Sequence, residues 1–254
     1  MATKMALIIE YDGTCYYGFQ LQVGLPTIQG EIEKALWQLT KENIRVMGAG
    51  RTDAGVHAKG QVISFWTESS LEVERFIHGL NFYLPLDIAV KAVYKVNSNF
   101  NVRHDARNRE YKYYILNSWT RSPIRAGYSY RVGGYLDIGA MNRACEFLVG
   151  EHDFISFASS KEAGMMNTIR RVYSAEVKKD NELVIFNIVA SAFLPHQVRN
   201  TVGSLVRVGL GKMKVEEFCS IISKRKRALA GPTAPAQGLC LMQVNYSQSF
   251  GEEM

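Results

Sequence analysis

The sequence predicts an α+β protein in which one βαββαβ series is written twice, giving two units with mainly antiparallel sheets. Two observations carry this. Strand-like apolar runs alternate with stretches whose apolar residues recur at three and four. The order of those runs before residue 105 then returns after it, which sets expected domains at 1–105 and 106–254.

In the first half, Ala6–Tyr11 is a strand-like run that ends in the turn signal Asp12-Gly13. From Thr27, which can serve as an N-cap, Ile28, Ile32, Ala35, Leu36 and Leu39 fall on one helical face. Ile44–Met47 reads as a short strand, and a glycine-rich loop then leads to a strand at Gln61–Trp66. A helix over Leu71–Leu80 and a strand over Ile88–Val96 complete the ferredoxin-like order.

The second half reads in the same way. Tyr111–Leu116 is a strand, and Ile138–Val149 is a helix with Met141, Ala144, Cys145 and Leu148 inward. Arg171–Val177 and Leu183–Val189 form a hairpin around Lys179-Asp180-Asn181. Helices over Val198–Leu210 and Val215–Ser223 precede a final strand, Leu239–Val244, so the series repeats with one helix added. Ser247–Met254 is expected to be a tail.

Net charge alone fits a mildly basic enzyme as well as a protein with a polyanionic partner, and the distribution of the cations sharpens the case for the partner. The chain has 254 residues with 30 Lys and Arg against 24 Asp and Glu, a formal +6. The cations cluster between Arg103 and Arg131 and again between Arg199 and Arg227. Such clusters can neutralise phosphates, although Lys224–Arg227 taken alone reads equally well as a solvated run. The four cysteines are too far apart for a metal pair or a disulfide framework, so a reducing, cytoplasmic setting is the expectation. The apolar run Met5–Ile9 is much shorter than the roughly 20 residues a membrane span needs.

The segment richest in chemical possibility is Gly48-Ala49-Gly50-Arg51-Thr52-Asp53-Ala54-Gly55-Val56-His57. Its glycines let the main chain turn sharply and approach a ligand. It opens onto a strand, not a helix, and fits no phosphate-loop pattern. A metal site at Asp53 and His57 lacks a third ligand nearby in sequence. An Asp between glycines is by default a turn residue. Here an Arg two positions earlier suits a carboxylate held ionised beside an anionic substrate.

These residues resemble those of a known family. Gly50–His57 is similar to the active-site motif of the TruA-type tRNA pseudouridine synthases. Glu10–Gly13 with Tyr16–Gln20, Arg109–Tyr113, Gly150–Phe154, Phe193–Gly203 and Thr233–Leu239 resemble its other segments in the expected order. The resemblance implies isomerisation of uridine at positions 38 to 40 of the anticodon stem-loop, with no cofactor or metal, by a homodimer whose partner is tRNA. It makes Asp53 the catalytic nucleophile. The two units could form two sheets with a central cleft between them, where RNA would bind, or one extended sheet. Tyr111 would stack on the extracted uracil, Arg199 would pair with Asp53, and Arg51 would contact RNA, the two arginine roles being exchangeable. Read without the resemblance, Tyr111 and Tyr113 share a sheet face and can simply fill a core. His57, His104 and His196 read as structural or RNA-contacting. The competing readings are a silent tandem RNA-binding module, which does not require Asp53, and a metal-dependent hydrolase, which the sparse ligand set disfavours.

Overall fold

A computed structural model of the chain describes residues 2–159, 167–225, 229–247 and 250. The architecture is mixed α+β with mostly antiparallel strand pairing. Two compact units divide it, Met1–Arg107 with Leu241–Met254, and Asn108–Cys240.

The first unit runs β1 (Thr3–Tyr11), α1 (Ile28–Thr40), β2 (Met47–Gly48), β3 (His57–Thr67), α2 (Val73–Tyr83) and β4 (Ile88–Val96). Strand β1 lies between β4 and β3 and pairs antiparallel with both, Leu7 facing Val93 on one side and Ile63 on the other. The short β2 also pairs with β3. Helix α1 starts where the sequence places it, because the Thr27 side chain accepts a hydrogen bond from Gly30 N. Its face of Ile28, Ile32 and Leu36 is fully buried, as are Leu7, Ile9 and Ile63 of the sheet. Burial of each such side chain is worth roughly 1.5–3 kcal/mol, an upper estimate given a partly collapsed unfolded chain.

Two boundaries in this unit differ from the sequence reading, each for a local reason. The expected strand at Ile44–Met47 is reduced to β2 because Val46 N donates to the Glu33 carboxylate of α1 at 3.1 Å. Its main chain is thus satisfied by a helix side chain instead of a strand neighbour. Helix α2 starts two residues later than expected, after a turn in which Leu71 N donates to Ser69 Oγ. It runs on to Tyr83, where Leu84 turns extended ahead of Pro85.

The second unit contains β5 (Ala106–Asn117), β6 (Tyr130–Val132), α3 (Ile138–Glu146), β7 (Gly150–Asp153), β8 (Ile169–Asp180), β9 (Leu183–Ala190), α4 (Gln197–Gly209) and α5 (Val215–Lys224). Its strands are ordered β5-β9-β8-β7, with β6 parallel to the end of β5. The sequence reading has neither β6 nor β7, and α3 ends three residues before the expected Val149. Three and four residues are too few for a period of two to declare itself. The last strand, β10 (Leu239–Tyr246), groups from Leu241 onward with the first unit, whereas the sequence reading places it with the second. Helix α4 is buried over most of its length, from Val198 through Val202 and Leu205 to Val208. Phe154, Phe157, Phe186 and Phe218 fill the core of this unit.

Candidate active site and nucleic-acid interface

Asp53 sits half-buried in the loop between β2 and β3. The loop is held by main chain on both sides. Ala49 N donates to Val62 O at 2.8 Å, and Gly50 O accepts from the buried Gln61 side chain at 3.0 Å. Thr52, one residue before the carboxylate, shares a 2.8 Å hydroxyl–hydroxyl bond with Tyr11 at the end of β1, and its carbonyl accepts from Phe19 N. Asp53 O accepts from Val56 N, closing a turn over Gly55 at φ +76°.

The segment after β1 frames this loop closely. Gly18 has φ +92°, and a Cβ there would come within 2.7 Å of Thr52 O. At Gly13 a Cβ would fall 2.0 Å from Val56 O. Both positions therefore require glycine for close approach, and the first also for its left-handed backbone. His57 is buried, with Nδ1 3.0 Å from Asp12 Oδ1 and 3.2 Å from Gly13 N. Protonated at Nδ1 it donates to Asp12; protonated only at Nε2 it accepts from Gly13. Either way the ring fastens the far end of the loop to the same segment. Arg51 is exposed.

Tyr111 and Arg199 belong to the second unit. Tyr111 lies on β5, on the same face as Arg109 and Tyr113, and all three are buried. Its ring meets Phe193 edge to face, with centroids 5.1 Å apart. Arg109, read from sequence as part of a basic cluster, is buried and donates from Nη1 to Ser191 O at 2.7 Å, so it is not a surface phosphate contact. Tyr113 donates to Pro235 O at 2.7 Å, and its hydroxyl is held well above the usual tyrosine range. Burial is the main cause; the nearby Arg199 charge opposes it, and Tyr130 adds to it.

Arg199 occupies the first turn of α4, where a cation works against the helix dipole by some 0.3–1 kcal/mol. Its Nε donates to Ala234 O at 2.8 Å while Ala234 N donates back to Arg199 O at 3.1 Å. Asn200 beside it accepts from Thr233 Oγ1 and donates to Phe157 O, each at 2.6 Å. The chain from Pro232 to Pro235 is thus strapped along α4. A guanidinium held at the positive end of a helix is a place for an anion. These strap contacts are invisible in the linear order, since the partners are far apart along the chain.

Among the described residues of the basic stretches, Arg103, Arg107, Arg121, Arg125, Arg131, Lys212, Lys214, Lys224 and Arg225 are exposed. Lys226 and Arg227 lie outside the described residues. No group of three or more His, Cys, Asp or Glu among the described residues is placed to hold a metal ion. No described helix is long and apolar enough to cross a membrane.

A family model described as tRNA pseudouridine synthase matches residues 7–105 and 144–247. The chain belongs to the tRNA pseudouridine synthase family. It is 42% identical over 243 residues to the tRNA pseudouridine synthase A of Acetivibrio thermocellus, covering 96% of this chain and 99% of that one. To the protein of the same name from Francisella tularensis subsp. novicida it is 43% identical over 242 residues, 95% of this chain and 93% of that one. The matched segments of the pseudouridine synthase family contain the Asp53 loop, Arg51 and α4 with Arg199. Tyr111 falls in the stretch between them.

Proposed function

We propose that the chain converts uridine to pseudouridine at positions 38, 39 and 40 of the tRNA anticodon stem-loop, with Asp53 as nucleophile. Membership of the family makes it an isomerase acting on tRNA. The reaction breaks the C1′–N1 bond, turns the uracil, and forms C1′–C5; the proton lost from C5 is balanced by one gained at N1. Nothing is oxidised or reduced, so the proposal includes no cofactor.

The observation that carries the reading is the Asp53 loop. A carboxylate is presented half-buried on a short turn whose neighbours on both sides are fixed by main-chain and buried side-chain bonds. Such preorganisation is what a group needs to stay close to one sugar and base. Arg199 is proposed to keep Asp53 ionised, which its position against the helix dipole favours. Tyr111 is proposed to receive the flipped uracil, whose stacking is worth roughly 1–3 kcal/mol. The two units are proposed to be ferredoxin-like halves, the RNA lying in a central cleft, and the working form a cytoplasmic homodimer.

Incubating purified protein with unmodified tRNA transcript and mapping pseudouridine at single-nucleotide resolution tests this. Modification confined to positions 38–40 is the expected result. Modification elsewhere, or none, overturns the assignment of the site.

A further inference from the structure

We infer that a cleft beside the Asp53 loop is a seat for a second nucleotide of the substrate RNA, with its phosphate on Arg45, Arg51 and Arg103 and its base over Met47 and Leu21. The inference rests on the pseudouridine synthase reading above and adds a binding site to it. The cleft lies wholly within the first unit and measures about 350 Å³. That is at the lower end of small-ligand sites, room for one nucleotide and not for a duplex. Asp53 does not face it, so its occupant is not the uridine that reacts.

Its chemistry is one-sided. Three arginines line the cleft, and no described lining residue carries a carboxylate. Arg45 is aimed by a carboxylate from outside the cleft: its Nη1 lies 2.9 Å from Glu33 Oε2, while most of the arginine side chain stays exposed. Glu33 is itself fixed, since Oε1 accepts from Val46 N and from Gln29 Nε2. A surface pair of this kind adds little stability. What it does is hold a guanidinium fork whose remaining donors suit a phosphate. The buried Gln29 closes the floor by accepting from Leu21 N and donating to Val46 O. Met47 and Leu21 stand exposed at the rim, apolar surface that water does not favour and a base can cover.

Gly50 supplies the second, independent observation. Glycine is ordinarily required by a positive φ or by crowding, and neither holds here. Gly50 is not among the glycines with positive φ, and a Cβ added to it would meet nothing within 4 Å. Its neighbour Gly48 is the contrast, for a Cβ there would run into the Phe19 ring at 2.7 Å. Open space against the main chain at Gly50 is what close approach of a ligand uses.

The test is tRNA binding by Asp53→Asn protein, which holds substrate without turning it over, alone and combined with Gly50→Val, Arg45→Gln or Met47→Ala. Gly50→Val and Met47→Ala are expected to weaken binding by about five-fold or more, the equivalent of one lost stacked base. Arg45→Gln is expected to lower the log–log salt slope by about 0.7–0.9, one phosphate's worth. In the enzyme with Asp53 intact, Arg45→Gln and Met47→Ala should raise KM and leave the single-turnover rate at saturating tRNA unchanged. Melting temperatures should not fall. Unchanged affinity and slope in all three variants overturns the inference. So does a Gly50→Val protein that melts earlier while Arg45→Gln is silent, which marks the cleft as structural. Uridine monophosphate is the probe for the other source: if it binds this cleft while the three changes leave tRNA binding intact, the seat is for a free nucleotide and the inference fails. Pseudouridine formation by the unsubstituted protein is measured in parallel. Its absence would sink the isomerase reading, while the binding data would still decide the cleft.

Discussion

Arg199 and Ala234 hold each other by two hydrogen bonds, side chain to main chain in one direction and main chain to main chain in the other. The guanidinium is thereby fixed through Nε. Arg199→Lys keeps the charge and loses the fork, since a lysine ammonium cannot bond Ala234 O and orient a second planar contact together. The expected outcome is turnover reduced by about 10²-fold or more, the scale of a misplaced catalytic group. Arg199→Ala should in addition cost about 1–3 kcal/mol of stability in urea melts. Either variant should change the salt slope of tRNA binding far less than it changes turnover. A change in slope alone would place Arg199 on the RNA track and remove it from Asp53.

Asp53→Asn should abolish pseudouridine formation with melting temperature and tRNA affinity nearly intact. The amide keeps the shape and loses the charge that the proposed nucleophilic role requires. Appreciable turnover by this variant, measured as product after long incubation, would return Asp53 to an ordinary turn residue.

Tyr111→Phe and Tyr111→Ala are expected to differ in kind. The phenyl ring keeps the edge-to-face contact with Phe193, so binding and fold should hold while turnover falls if the hydroxyl takes part in removing the C5 proton. Alanine removes that buried ring and should cost about 3–5 kcal/mol in a denaturant titration. Equal, mild effects on turnover would make Tyr111 a core residue only.

Gly203→Ala tests the strap along α4. A Cβ at that position would lie 1.8 Å from Pro232 O, so the strap or the helix must move. Overpacking of this sort costs about 1–3 kcal/mol, read as a lowered denaturation midpoint. Turnover should fall with it, because the displaced strap carries Ala234. Full stability in Gly203→Ala would show that the strap is looser than its contacts imply.

Alkali should destabilise the second unit. Burial pushes the Cys145 thiol up to about 12, with Glu146 and Glu176 adding to the shift, and holds the Tyr113 hydroxyl above its ordinary range. For an acid of raised folded pKa the neutral form is the one the fold favours. Its contribution is complete below the unfolded pKa and is lost as pH rises toward the folded value. Stability should therefore decline above about pH 9, by up to roughly 1.4 kcal/mol per pH unit for each such group. Cys145→Ala and Tyr113→Phe should each flatten that decline in urea melts run from pH 8 to pH 11. A decline of the same steepness in both variants would assign it to other groups.

Much of this architecture was legible in the linear sequence, and particular residues show where legibility stopped. Thr27 announced α1 because a cap, an apolar period and a start signal coincide within a few positions. The Asp53 loop with Arg51 stands out by residue type and spacing, whereas Tyr111 and Arg199 enter as site residues only through the family resemblance. Several of the differences share a cause, which is satisfaction of polar groups by partners distant in the chain. Glu33 takes Val46 N out of a strand that local pattern predicts. Arg109 reads as a surface cation until Ser191 is seen to accept from it. The strap on α4 depends on Thr233 and Phe157 meeting Asn200, and no short window contains all three.

The seating of Gly13 on Val56 O and of Gly18 on Thr52 O matters to anyone redesigning this enzyme. Those contacts are made by main-chain atoms, so no choice of side chains elsewhere can imitate them. The Gly50–His57 loop is therefore not a portable peptide. Transplanted without Tyr11 to Gln20 it would lose the surface that shapes it. The smallest unit that can be moved to a new scaffold is the pair of segments together with the two strands, β1 and β3, that bring them side by side.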